Sequence, residues 1–203
     1  SRVRLLAESL QADDSCPDCR LDDSSVEATM NLWSKRCQFL ANFTPAWREE
    51  VDPNYASIAL GNKNSPDECI DAMKNFVNAM EHSETGPRPG TQAYAALLSA
   101  IAHSRIDGVG QSALNYLRTL ELDDNITKDF RMYTSVLLAF RFEVETSPKS
   151  AVSDAMDLWN HMKALNNPDI AHNLVAASIL MDVLASAGLP EEVHSILEEL
   201  ESY

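Results

Sequence analysis

The sequence predicts an all-α fold, a solenoid of about four to five helical hairpins stacked side by side. Three observations carry this reading. An apolar stripe with places at +3, +4 and +7 from its first residue recurs at near-constant spacing. A second set of identical stripes alternates with the first. No sustained period-two alternation competes with either, and the β-branched residues are dispersed. Spacings of three and four draw one line along an α-helix, which is the mark of a helix with one buried face.

Taken in chain order, "SRVRLLAESLQ" at residues 1–11 reads as a first helix A, followed by a helix B carrying Thr29/Leu32/Trp33, where Arg36 breaks the last place of the stripe. Leu32-Trp33 is echoed by Leu158-Trp159 at a distance of 126 residues, which sets both tryptophans at matching places in the frame. Between residues 44 and 64, Pro45 and Pro53 leave only a short helix A around "NYASIAL". Four stripes of the B type follow: Met73/Phe76/Val77/Met80, Ala113/Tyr116/Leu117/Leu120, Ala155/Leu158/Trp159/Met162 and Val193/Ile196/Leu197/Leu200. They begin 40, 42 and 38 residues apart. Tyr94/Leu97/Leu98/Ile101, Tyr133/Val136/Leu137/Phe140 and Ala177/Leu180/Met181/Leu184 are the A stripes, each preceding a B stripe by 19, 22 or 16 residues. Such a hairpin cannot bury its apolar faces alone, so neighbours stack and share a continuous core. On this frame Trp33, Trp159, Tyr94, Tyr116 and Tyr133 are core residues.

Helix entries support the frame. "NSPDE" offers Ser65 as N-cap, Pro66 at the first helical position and Glu68 to close a capping box. "TSPKS" repeats the Ser-Pro entry. "AGLPEE" ends one helix at Gly188 and opens the next with Pro190 and two glutamates in the first turn. The loop "HSETGPRPGT" separates an irregular N-terminal part, 1–88, from regular repeats at 89–203, the two forming one continuous solenoid.

Composition narrows the partners. The hydrophobic content of 45% suits an ordinary globular protein, and the scarcity of glycine, with 6 residues, suits helices. The formal net charge is −15, from 16 basic against 31 acidic residues. Nucleic-acid affinity and attachment to anionic lipid both rest on basic side chains, so generic binding to either is disfavoured. The most apolar stretch, "AHNLVAASILMDVLASAG", is interrupted by His172, Asn173 and Asp182. It reads as a buried helix, and no membrane insertion is expected.

There is no phosphate loop, no HExxH pair and no GxSxG elbow. The five histidines are isolated. Cys16 and Cys19 have the spacing of half a zinc knuckle or a redox pair, but no second pair follows; with Cys37 and Cys69 they read as reduced thiols. Acidic clusters at 21–23 and 122–124 lack the spacing of a calcium loop. No catalytic residue, metal or cofactor is expected. Lys128, Arg131 and Ser135 fall at intervals of three and four on a helix A, and Gln92 occupies the related face one unit earlier. These four residues are the candidate binding site.

"TQAYAALLSAIAHSRIDGVGQSALNYLRTL", "FRMYTSVLLAF…SAVSDAMDLWNHMKAL" and "LVAASILMDVLASAGLPEEVHSILEEL" resemble pentatricopeptide repeats. Helix A of that family opens with an aromatic residue, and helix B follows a pattern that Ala155, Leu158, Trp159 and Met162 match. The resemblance covers about residues 90–203. It implies a right-handed α-α superhelix, a mitochondrial location, with the cytoplasm as the alternative, and a role in RNA processing, stability or translation. Single-stranded RNA, or a ribonucleoprotein, would be the ligand. The family's base-selecting places fall on Ala96 with Phe130 and on Ser135 with Leu174, and only Ser135 has the expected chemistry. Apolar side chains cannot hydrogen-bond base edges. The second expectation is therefore an acidic adaptor that binds a basic protein partner without touching RNA.

Overall fold

The computed structural model describes residues 23–42, 65–82, 88–165 and 167–201. "SRVRLLAESLQ", Cys16, Cys19 and "NYASIAL" lie outside them. All regular structure among the described residues is α-helical. The chain divides into two compact units, Ser1–Ala100 and Ile101–Tyr203, described in turn.

The first unit contains α1 (Asp23–Asn42), α2 (Pro66–Glu81) and most of α3 (Thr91–His103). Helix α2 starts as its sequence dictates: Ser65 is extended, its hydroxyl accepts from the Glu68 amide at 3.2 Å, and Pro66 opens the helix. Its stripe Met73/Phe76/Val77/Met80 is fully buried. So is the stripe of α3, Tyr94/Leu97/Leu98/Ile101.

Helix α1 departs from the expected phase. It buries Val26, Met30 and Cys37, while Leu32 is 67% exposed and Trp33 only half-buried. The Cys37 thiol takes the buried place beyond Arg36, and Arg36 itself is half-buried with its Nε enclosed. The direction of α1 also differs from the frame. Trp33 lies against Phe76 with ring centroids 6.4 Å apart, and Cys37, one turn further along α1, reaches the Pro66 carbonyl at 3.9 Å, ten residues back along α2. The two helices are antiparallel, although two B-type helices of successive hairpins run parallel. The Leu-Trp echo therefore does not mark equivalent places.

The second unit holds the end of α3, then α4 (Val109–Glu121), α5 (Phe130–Glu143), α6 (Pro148–Ala164), α7 (Pro168–Ala171), α8 (Leu174–Ser186) and α9 (Pro190–Glu201). Helices α4 and α5 are antiparallel. Glu143 at the end of α5 accepts from the Gly110 amide at the start of α4 at 2.6 Å, and Tyr133 near the start of α5 donates to Glu121 at the end of α4 at 2.8 Å. Helices α5 and α8 are parallel: α7, just ahead of α8, shares a cleft with Tyr133, while Arg141 and Asp182 pair at 2.5 Å toward the other ends. Leu114, Arg118 and Glu121 of α4 line a groove with Asp154, Leu158 and His161 of α6, and Glu121 at the end of α4 meets His161 near the end of α6. Within this unit α4 and α5 thus run in opposite senses, and α5 and α8 run together.

Local sequence explains the joints. Gly108 (φ 71°) precedes α4 without a side-chain cap, and the Glu143 carboxylate takes that part by accepting from Gly110 and Gln111 at 2.6 and 3.3 Å. Phe140 and Glu143 approach Gly110 so closely that a Cβ there would lie 2.6 Å from Phe140 Cε1 and nearer still to two other atoms. Helix α8 ends in a Schellman turn: Gly188 (φ 76°) and Leu189 donate to Ala185 and Leu184, both at 3.0 Å. The four-residue α7, capped by Asn167, was not expected from the sequence. It lengthens the interval between the second and third A stripes. The stripes of α4 to α6 are buried apart from half-buried Tyr116, and that of α8 apart from half-buried Met181. Only Ile196 of the α9 stripe is buried, and Leu197 is 43% exposed.

Candidate functional site

The connector after α4 is built by its own polar groups. Asp123 Oδ1 accepts from the Asn125 amide and from Asn125 Nδ2, both at 2.9 Å, which closes a tight turn. Lys128 Nζ then donates to the Asp123 carbonyl at 2.6 Å. Asp129 caps α5, accepting from the amides of Arg131 and Met132 at 3.0 and 3.3 Å. Because Asp129 is the cap, Lys128 lies ahead of α5 and outside its helical phase. This corrects the expected single stripe of Lys128, Arg131 and Ser135. Arg131 is exposed and bonds its neighbour Asp129 through Nε at 2.7 Å and a terminal nitrogen at 2.5 Å. Ser135 is half-buried and its hydroxyl donates back to the Arg131 carbonyl at 2.8 Å. Gln92 is half-buried on α3, in the first unit.

Behind this connector the fold assembles a node that the sequence reading missed. Glu121 Oε1 accepts from Tyr133 Oη at 2.8 Å and meets His161 Nε2 at 2.7 Å, which joins α4, α5 and α6 through one carboxylate. Tyr133 is 1% exposed. Burial first, then the hydrogen bond to Glu121, hold its phenol above the usual tyrosine range. Its ring lies 6.4 Å from the His161 ring. Glu121, Thr127, Lys128, Tyr133, His161, Leu165, Asn167 and Ile170 line a cleft of about 550 Å³. Leu165, Ile170 and Tyr133 give it an apolar lining. Of the four expected site residues, Lys128 alone lines it.

The Tyr-Glu bond has a counterpart in the first unit, where Tyr94 donates to Glu81 at 2.8 Å. Each tyrosine opens an A stripe, and each glutamate directly follows the last residue of a B stripe: Met80-Glu81 and Leu120-Glu121. That recurrence was readable in the sequence. Lys163 takes the corresponding place after Met162; it pairs with Glu199 at 2.9 Å and lies 5.7 Å from the Trp159 ring.

What this arrangement can do is bind. The carboxylate oxygen is committed to two donors, and no group of three or more His, Cys, Asp or Glu able to hold a metal ion occurs among the described residues. A partly exposed stripe on α5 and an exposed one on α8 run along this parallel pair. One carries Arg131, Ser135 and Leu138, the other Val175, Ser178 and Asp182, with Leu174 beside it. Leu174 and Val175 are 68% and 55% exposed. Arg141 joins the stripes through Asp182 and bonds Glu145 at 3.4 Å. One stretch, Pro168–Ser186, meets the length and composition of a membrane span, but the break at Asn173 divides it into α7 and α8. Comparison with known protein families, with curated proteins and with solved structures finds no match.

Proposed function

We propose that this chain is a non-enzymatic helical-repeat scaffold, a right-handed superhelix of stacked hairpins, that binds a protein segment along α5 and α8. The antiparallel pair α4 and α5 and the parallel pair α5 and α8 in the second unit support the stacking. The observation that carries the choice of ligand is the charge state of the exposed face. Arg131 is satisfied by Asp129, Arg141 by Asp182, and two large apolar side chains, Leu174 and Val175, stand open beside them. Phosphate binding draws its strength from cations released from other duties. Apolar anchors ringed by polar groups are the anatomy of a protein interface. The net charge of −15 gives a basic partner the advantage of long-range attraction.

The pentatricopeptide resemblance supports a second reading, single-stranded RNA in mitochondrial RNA handling, with Lys128 and Arg131 as phosphate contacts. One pair of experiments separates the two. Capture of a protein partner that survives nuclease and is lost in Leu174→Asp/Val175→Asp supports the adaptor. Low-salt binding of a mixed-sequence single-stranded RNA that is abolished by Lys128→Glu/Arg131→Glu, with capture lost on nuclease treatment, supports the RNA reading and rejects the adaptor.

A further inference from the structure

We infer that Cys37 and Cys69 form a redox-dependent clasp, in which oxidation by a low-molecular-weight disulfide cross-links α1 to α2. The geometry is that of two facing thiols. Cys37 is 0% and Cys69 4% exposed, so both lie in the contact between the helices. Trp33 against Phe76 fixes the register at one level, and Cys37 within 3.9 Å of the Pro66 carbonyl fixes it at the first turn of α2, which Cys69 follows by three residues. Cys69 is near enough to push the Cys37 thiol up, and both cysteines are free. A disulfide requires sulfurs that already face one another across a short Cα separation, and this pair meets the first condition without any rearrangement of chain direction.

The reaction balances as thiol–disulfide exchange. A cysteine thiolate attacks one sulfur of the small disulfide and expels a thiolate, which takes up a proton. The second cysteine thiolate displaces the other small thiolate from the mixed disulfide. Two protein thiols and one small disulfide become one protein disulfide and two small thiols. The nearness of Cys69 and burial hold the Cys37 thiol far above the ordinary thiol range, so little of the reactive thiolate forms while the helices are closed. Exchange therefore proceeds through lifting of α1 from α2, and once the bond has formed the same burial shields it from reductant. The clasp fastens α1 slowly and holds it. It also shuts a loop of the unfolded chain between residues 37 and 69, which favours the folded unit.

The test uses the full chain, equilibrated across a series of oxidised-to-reduced glutathione ratios and mapped by mass spectrometry without reduction. The expected result is a peptide pair linked through Cys37 and Cys69, lighter by two hydrogens, with proteolysis within α1 slowed about tenfold relative to the reduced chain. A chain whose Cys37 and Cys69 remain reduced at ratios that fully oxidise Cys16 and Cys19 overturns the inference. So does a glutathione adduct that persists on Cys37 or Cys69, since it shows that the second sulfur cannot reach. In Cys37→Ala, a rate of α1 proteolysis that no longer depends on the glutathione ratio supports the clasp, and an unchanged dependence refutes it. Because the readout is taken on the wild-type chain first, poor folding of the variant does not remove the test.

Discussion

Removing the Glu121 carboxylate leaves a buried tyrosine hydroxyl with nothing to donate to, and the cost of that can be worked from the structure. Tyr133 is 1% exposed, and its hydroxyl bonds Glu121 at 2.8 Å. In Glu121→Ala the orphaned donor costs about 1–3 kcal/mol. Loss of the His161 contact, whose imidazole is 46% exposed, adds about 0–1 kcal/mol after solvent screening. Glu121→Gln keeps an acceptor for the tyrosine and costs about 1 kcal/mol or less. Tyr133→Phe removes the donor altogether, so in that background Glu121→Ala falls to the histidine contribution. The double-mutant cycle therefore carries a coupling of about 1–3 kcal/mol. The assay is urea unfolding at neutral pH followed by helical circular dichroism. Additivity of the two substitutions within about 0.5 kcal/mol would falsify the claim that this carboxylate ties α4 to α5.

Further expectations follow from other contacts. An alanine at an ordinary helix position would gain about 1 kcal/mol over glycine, but Gly110→Ala drives a Cβ into Phe140 and Glu143. The net result is a loss of about 1–2 kcal/mol of stability in urea titrations, and a gain would remove close packing as the reason for glycine. Tyr133 has a raised phenol pKa in the fold, so its contribution is complete below about pH 10, the unfolded value, and is lost as pH rises above it. Stability measured from pH 9 upward should thus decline more steeply in the wild type than in Tyr133→Phe, and equal slopes would contradict the burial argument. Trp159 is 1% exposed and its indole nitrogen meets no hydrogen-bond partner among the described residues. Trp159→Phe gives up no hydrogen bond and is expected to cost well under the ~3–5 kcal/mol of Trp159→Ala, as thermal unfolding of the pair would measure.

The helices themselves were legible because each is announced locally. Spacings of three and four gave the buried faces of α2 to α6 and α8, and Ser65-Pro66 and Pro190 fixed two entries to the residue. Phase and direction were less legible. Thr29, Leu32 and Trp33 make an acceptable stripe on paper, and only the packed helix shows Val26, Met30 and Cys37 buried in their stead. The candidate cations Lys128 and Arg131 could be named, but the pairing of Arg131 with Asp129 and the ion pair that Arg141 makes with Asp182, 41 residues away, emerged only from the structure. The Glu121 node combines residues 12 and 40 positions apart, and its histidine looked isolated in the sequence.

By itself, then, the sequence determined that this protein is helical, which faces α2 to α6 and α8 bury, and that its balance of charge is acidic. Those properties are set by neighbours within one turn and by composition. Only the tertiary structure decided that α1 opposes α2, that Cys37 meets Cys69, and that one carboxylate serves three helices. Such pairings depend on how rigid cylinders settle against each other to exclude water, a condition that many chain separations satisfy equally well until the packing selects one.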